Sequence, residues 1–209
     1  QQEFEIIGLM TTLNKNFKRI SMHGVREDLL DKQAASIGIP LIKMWVQEGS
    51  YEEYEAQMEK VLLEYKAKGI THVIFGDIFL EDLKKYRDDN LARVDLQGHY
   101  PLWKRDTSEL IEEFIDKGFK TITCCINDKY LSEEHSGTII TQDWINQLPV
   151  KVDPCGENGE FHTFCFDGPI FKEKINFEIE EKVYKPLDEK LINLEETPHT
   201  KGFWFTELK

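Results

Sequence analysis

Three times along the chain an amphipathic stretch ends at a glycine and an apolar run follows at once: QAASIGIPLIKMWV, LLEYKAKGITHVIFG and FIDKGFKTITCCI. Gly38, Gly69 and Gly118 stand where a left-handed residue closes a helix. The runs after them are short and apolar at nearly every position, as in strands covered on both faces. Tyr54, Met58, Val61, Leu62 and Tyr65 share one helical face, as do Leu110, Ile111, Phe114 and Ile115. Ser50 with Glu53, and Asp106 with Glu109, have capping-box spacing. Helices and strands alternating in this way predict right-handed βαβ units in a doubly wound, Rossmann-like parallel sheet. Its strands are expected over residues 4–12, 40–46, 70–76 and 119–126.

The pattern then changes. Residues 127–150 read as a loop and a short helix, TQDWINQL, stopped by Pro149. After Pro154 the text becomes β-like: FHTFCFDG, INFEIEEKVYKPL and GFWFTEL. Alternation in INFEIEEKVY predicts an antiparallel strand with one wet face. The class is therefore α/β with a smaller mixed α+β C-terminal part, and a boundary near residue 96 separates 1–96 from 97–209.

Composition narrows the partners. The 209 residues are 40% hydrophobic and 31% charged, a globular balance. A net charge of −13 argues against a nucleic-acid backbone as partner. No apolar run reaches the roughly 18 residues of a membrane span, and the first residues carry no secretory pattern. Cys124, Cys125, Cys155 and Cys165 make no disulfide framework, so a cytoplasmic protein is expected.

In open α/β sheets ligands bind beyond the carboxyl ends of the strands. That rule selects Thr11 and Thr12, Gly76 and Asp77, and the pair Asn127-Asp128. Gly76 would admit a ligand close to the backbone, and Asp77 could accept from a ribose hydroxyl or hold magnesium; an ordinary strand end and turn is the plainer alternative. SMHGVRED, with Ser21 and His23, precedes a helix start. Tyr86 and Arg87 lie on a charged helix near Asp77, where an arginine could clamp a phosphate or carboxylate. Trp103, Lys104 and Arg105 come directly before another helix and could stack on or pair with a ligand. VDPCGENGEFHTFCFDGP is a turn entering a strand, with Glu157 and Glu160 flanking Asn158-Gly159. Two carboxylates so placed repel unless a cation joins them: a metal, a substrate amine, Arg87 or Arg105. Cys155, His162 and Cys165 match no zinc spacing.

In this order, SMHGVRE, FGDIFLEDLKKYR, PLWKRDTSELIEEFIDKGFK and VDPCGENGEFHTFCFDGPIF closely resemble the diphthine–ammonia ligase family, of the adenine nucleotide alpha hydrolase-like, PP-loop ATPase superfamily. The resemblance covers roughly residues 3–175. It implies a HUP-type sheet that binds ATP with Mg2+, adenylates a carboxylate, releases pyrophosphate and lets ammonia displace AMP. In archaea and eukaryotes the carboxylate is that of diphthine on translation elongation factor 2. Bacterial relatives share the motifs without an expected diphthamide, and a role near cobalamin metabolism has been suggested for some. Carried over by position, Thr11, Thr12, Met22, His23, Gly76 and Asp77 are nucleotide-side residues. Tyr86, Arg87, Asn158 and His162 belong to the acceptor side, where Trp103 and Arg105, from their place before a helix, are also expected to bind substrate. Glu157 and Glu160 are the candidate catalytic pair, orienting the attacking amine or a metal.

The family's opening strand and SGGKDS-like phosphate loop have no counterpart here. The chain opens at what should be the second strand, and EFEIIGLMTT without a helix-to-strand lead-in favours a segment upstream. Two other functions compete: an adenine-nucleotide-binding module without turnover, and an unrelated α/β hydrolase. The hydrolase is weakened by the lack of a Gly-x-Ser-x-Gly elbow. The tail GFWFTELK is expected to pack on its own domain or on a second copy.

Overall fold

A computed structural model describes residues 4–47, 50–187 and 200–209. The first part is built of β1 (Leu9–Asn14), β2 (Arg19–Ile20), α1 (Glu27–Ile37), β3 (Leu41–Val46), α2 (Tyr51–Ala67), β4 (His72–Ile74) and α3 (Glu81–Arg93). There follow β5 (Gln97–His99), α4 (Thr107–Asp116), β6 (Lys120–Asn127), α5 (Gln142–Asn146), β7 (Phe161–Asp167), β8 (Ile179–Pro186) and β9 (Gly202–Leu208).

Local chemistry sets the helix ends. Gly38, Gly69 and Gly118 all have positive φ, at 81°, 97° and 82°, a conformation that costs glycine nothing. The Ser50 hydroxyl accepts from the Glu53 N–H, and the Asp106 carboxylate accepts from the Glu109 N–H at 3.0 Å. The reciprocal half of the Ser50 box does not form. The Glu53 carboxylate takes the Gln47 N–H at 2.8 Å and pairs with Lys15 instead.

The parallel sheet is divided. β1 pairs with β3 in parallel, from Leu9↔Leu41 to Asn14↔Val46, and β4 pairs with β5 in parallel. Among the described residues no ladder joins the two pairs. A wide cleft separates β1 from β4.

The expected fourth parallel strand is antiparallel. β6 runs between β7 and β9 in the sheet β7-β6-β9-β8. Its apolar run comes from helices on both faces, which periodicity cannot tell from parallel pairing. A register shift between Thr123 and Cys125 exchanges those faces. Ile122 and Cys124 pack with Val25 and Leu29 of the α1 region, whereas Ile126 packs with Ile111 and Trp144 of α4 and α5. Hence α1, from the first part of the chain, is seated on the sheet of the second. Gln33 reinforces this by donating to the Cys165 carbonyl at 2.6 Å. The tail becomes β9, bonded to β6 and β8 of its own chain. β8 is exposed along its whole length, as an edge strand, rather than on one face only.

Candidate functional site

The tip of β4 leads through Phe75 and Gly76 to Asp77. A Cβ placed on Gly76 would meet open space. Asp77 is buried and faces Arg87 of α3, with Arg87 Nη2 donating to Oδ1 at 3.2 Å and Nε 2.6 Å from Oδ2. The Nε approach is off-axis, so its strength is that of an ion pair. The Arg87 guanidinium lies 4.4 Å over the Phe75 ring, and Phe75 in turn stacks on Tyr100. Tyr100 donates to Asp88 at 2.8 Å; burial, first, and then this carboxylate raise its phenol well above the ordinary range.

The turn at 153–160 is pinned from within. Glu160 is 0% exposed. Its Oε1 accepts from the Asp153 N–H and from Asn158 Nδ2, and its Oε2 accepts from the Asn158 N–H, each at 3.0 Å. Glu157 points the other way: its Oε1 accepts from the Ile78 N–H at 2.7 Å and the Phe79 N–H at 3.4 Å. The acidic turn therefore clasps the loop one residue beyond Asp77. Lys104, at φ 60°, donates its backbone N–H to the Ile78 carbonyl at 2.7 Å from the opposite side.

This differs from the expected cation-bridged carboxylate pair. The two side chains diverge: Glu157 accepts from the backbone N–H groups of Ile78 and Phe79, and Glu160 from two backbone N–H groups and the Asn158 side-chain amide. Glu160 faces the interior, where its hydrogen bonds hold the turn. Arg105 is taken by Glu113 at 2.6 Å, Tyr86 donates to Glu55 at 3.2 Å, and Trp103 packs edge-on to Tyr100. Asn158 serves Glu160.

The cleft between β1 and β4 has a volume of about 1690 Å³. Thr11, Thr12, Met22, His23, Arg87 and His162 line it together; Gly76, Asp77, Tyr86, Trp103, Arg105, Glu157, Asn158 and Glu160 do not. Its walls along residues 4–10 and 69–75 are mostly apolar, and its polar end lies where β1 and β4 finish. Met22 sits on the rim at φ 64°, 60% exposed. His23 and His162, assigned to opposite sides by the sequence reading, are in contact with ring centroids 4.6 Å apart. Burial lowers both imidazoles, His162 to about 4, where His23 adds a smaller downward push. Sequence reasoning missed Tyr54, Lys185, Phe203 and Phe205 in this wall. The signal for the last two was the aromatic spacing of the tail, and for their position it was Gly24. A Cβ on Gly24 would lie 2.6 Å from the Phe205 ring.

The charged residues lining the cleft are Arg19, Lys68, Arg87, Lys185 and Glu5. Arg19, Lys68 and Arg87 are paired with Glu207, Glu64 and Asp77, which leaves Lys185 as a cation without an ion pair among the described residues, able to meet an anion. Among the described residues no three His, Cys, Asp or Glu side chains gather as a metal site. Magnesium carried on phosphates needs only one or two carboxylates. Asp77 would be the protein's contribution, and Arg87 already holds it.

The fold is that of a two-part α/β protein with a wide cleft between β1 and β4. Residues 1–97 match the diphthamide synthase N-terminal domain, and residues 106–196 match the diphthamide synthase C-terminal domain. The chain belongs to the diphthamide synthase family. It is 28% identical over 175 residues to the diphthine–ammonia ligase of Danio rerio, a match covering 76% of this chain and 69% of that protein. The Mus musculus and Homo sapiens diphthine–ammonia ligases are 29% and 27% identical over 176 residues, each covering 76% of this chain and 66% of the relative. The chain thus spans about two thirds of the length of these relatives.

Proposed function

We propose that this chain carries out ATP-dependent amide formation of the diphthine–ammonia ligase type. The observation that carries the reading, beside family membership, is the Glu157 clasp on Ile78 and Phe79. It ties the acidic turn of the C-terminal part to the strand-tip loop of the N-terminal part, so acceptor and nucleotide would meet over one loop. The carboxylate attacks the α-phosphorus of ATP, giving an acyl adenylate and pyrophosphate. Ammonia then attacks the acyl carbon, giving the amide, AMP and a proton. The relatives' name supplies the acceptor class: a diphthine side chain on a protein.

Thr11, Thr12 and Met22 are the nucleotide wall in this reading, and the open backbone at Gly76 adjoins it just past Phe75. Bound magnesium would neutralise phosphate charge, and Asp77 would hold it while Arg87 keeps that carboxylate oriented. Glu157 fixes the loop, and Glu160 and Asn158 fix Glu157. Four free thiols and the lack, among the described residues, of a helix long and apolar enough to cross a membrane suit a reducing aqueous compartment.

The test is pyrophosphate and AMP release by the full-length polypeptide, given ATP, magnesium, ammonium and a diphthine-bearing acceptor. Release that requires both acceptor and ammonium is expected. Nucleotide binding with no release would assign the chain to the competing class, a nucleotide-binding module.

A further inference from the structure

The two histidines in contact are unassigned by the reaction as written. His23 follows β2, at the turn before α1, and His162 lies on β7, opposite Cys125. The contact exists because α1 is seated on the antiparallel sheet. The His23 Nδ1–H donates to the Ser21 carbonyl at 3.2 Å, which leaves Nε2 as a lone-pair acceptor. Neither ring nitrogen of His162 has a hydrogen-bond partner among the described residues. Both rings line the cleft.

We infer that His23 and His162 together form the ammonia-binding site, their free ring nitrogens accepting N–H bonds from one small neutral amine. This rests on the ligase reading. Two imidazoles in contact cannot both be cations without strong repulsion, and the buried setting keeps them neutral. Neutral imidazole offers an acceptor, which a cationic one does not. Two neutral imidazoles bring no negative charge to offset that of ammonium in a partly desolvated site, so neutral ammonia is the form held. Held by its N–H bonds, ammonia keeps its own lone pair free to attack the acyl carbon. The attack forms the C–N bond and breaks the C–O bond to AMP, and the surplus proton goes to the departing phosphate or to water. Adenine is the other nitrogen-rich ligand such a pair could read, and the experiment separates the two.

Two rates are measured for the full-length polypeptide and its His162→Ala and His162→Gln variants. ATP–pyrophosphate exchange with acceptor needs no ammonia; amide formation is followed against ammonium concentration. His162→Ala is expected to raise the ammonium KM at least about tenfold while exchange and its ATP dependence persist. His162→Gln, which restores an acceptor, is expected to recover part of that loss. An unchanged ammonium KM overturns the inference alone, as does a selective rise in the ATP KM of exchange. Absence of exchange in the unaltered protein overturns the ligase reading and this inference with it.

Discussion

Glu157 Oε1 accepts the backbone N–H of Ile78 at 2.7 Å, so one carboxylate from the C-terminal part sets the conformation of the loop carrying Asp77. A charged acceptor on a backbone N–H contributes about 1.5–3 kcal/mol. Glu157→Ala is expected to free the loop, to lower nucleotide affinity several-fold and to depress pyrophosphate release. Glu157→Gln keeps an amide oxygen for Ile78 and should lose less. Calorimetric titration with a non-hydrolysable ATP analogue checks this. Unchanged nucleotide affinity in the alanine variant, with only product formation lost, would place Glu157 at the acceptor instead.

The Asp77–Arg87 pair is largely shielded from water, with side-chain exposures of 11% and 26%. Breaking a buried pair costs about 3–5 kcal/mol, and partial exposure of Arg87 brings the expected loss to about 2–3. A double-mutant cycle of Asp77→Asn and Arg87→Ala, read by urea unfolding, should show a coupling above about 1 kcal/mol. Arg87→Lys keeps the charge but not the planar stack on Phe75, so it should fall between the parent and Arg87→Ala. Additive single effects would mean that Arg87 is held by Phe75 alone.

Glu160 is expected to matter for folding before chemistry. Its three hydrogen bonds hold Asp153 and Asn158 around a turn in which Gly156 and Gly159 have φ of 71° and 78°. Glu160→Ala orphans those donors and should cost about 3 kcal/mol. The drop in thermal midpoint should accompany the loss of activity in proportion to the unfolded fraction. Full stability with no activity would return Glu160 to the chemistry.

What could be read from the sequence was local. Gly38, Gly69, Gly118, Ser50 and Asp106 announce helix ends because each acts on backbone within four residues. The existence of β3, β4, β6 and β7 was also legible, whereas the two- and three-residue strands β2 and β5 were too short to leave a pattern. The direction of β6 was not legible, since burial on both faces gives the same apolar run whatever the partners do. The separation of β1–β3 from β4–β5 has no local signature. Asn158-Gly159 marked the turn, yet nothing in GENGE says that Glu160 folds inward and Glu157 outward, because that choice depends on Ile78. His23 and His162 meet only through α1 packing on the far sheet, a contact fixed by tertiary structure.

The same packing gives the protein a predictable acid response. Unfolded, His162 titrates at the ordinary 6.5; folded, burial and then His23 hold it to about 4. Below pH 6.5 the unfolded chain takes up a proton that the folded chain refuses, so stability falls with pH. The contribution is fully present above pH 6.5 and declines down to about 4, where it levels off. At about 1.4 kcal/mol per unit, the loss over that window is ~3 kcal/mol, and His23, also lowered by burial, adds to it in the same direction. The carboxylates with lowered values act further down, Glu113 at about 2 through Lys117 and Arg105, so the upper part of the window belongs to the histidines. His162→Asn should flatten the fall in urea midpoint between pH 6.5 and about 4.5 while the parent declines. If the parent's midpoint stays level across that range, the imidazoles are solvated, and the seating of α1 on the antiparallel sheet must be looser than the 4.6 Å ring contact requires.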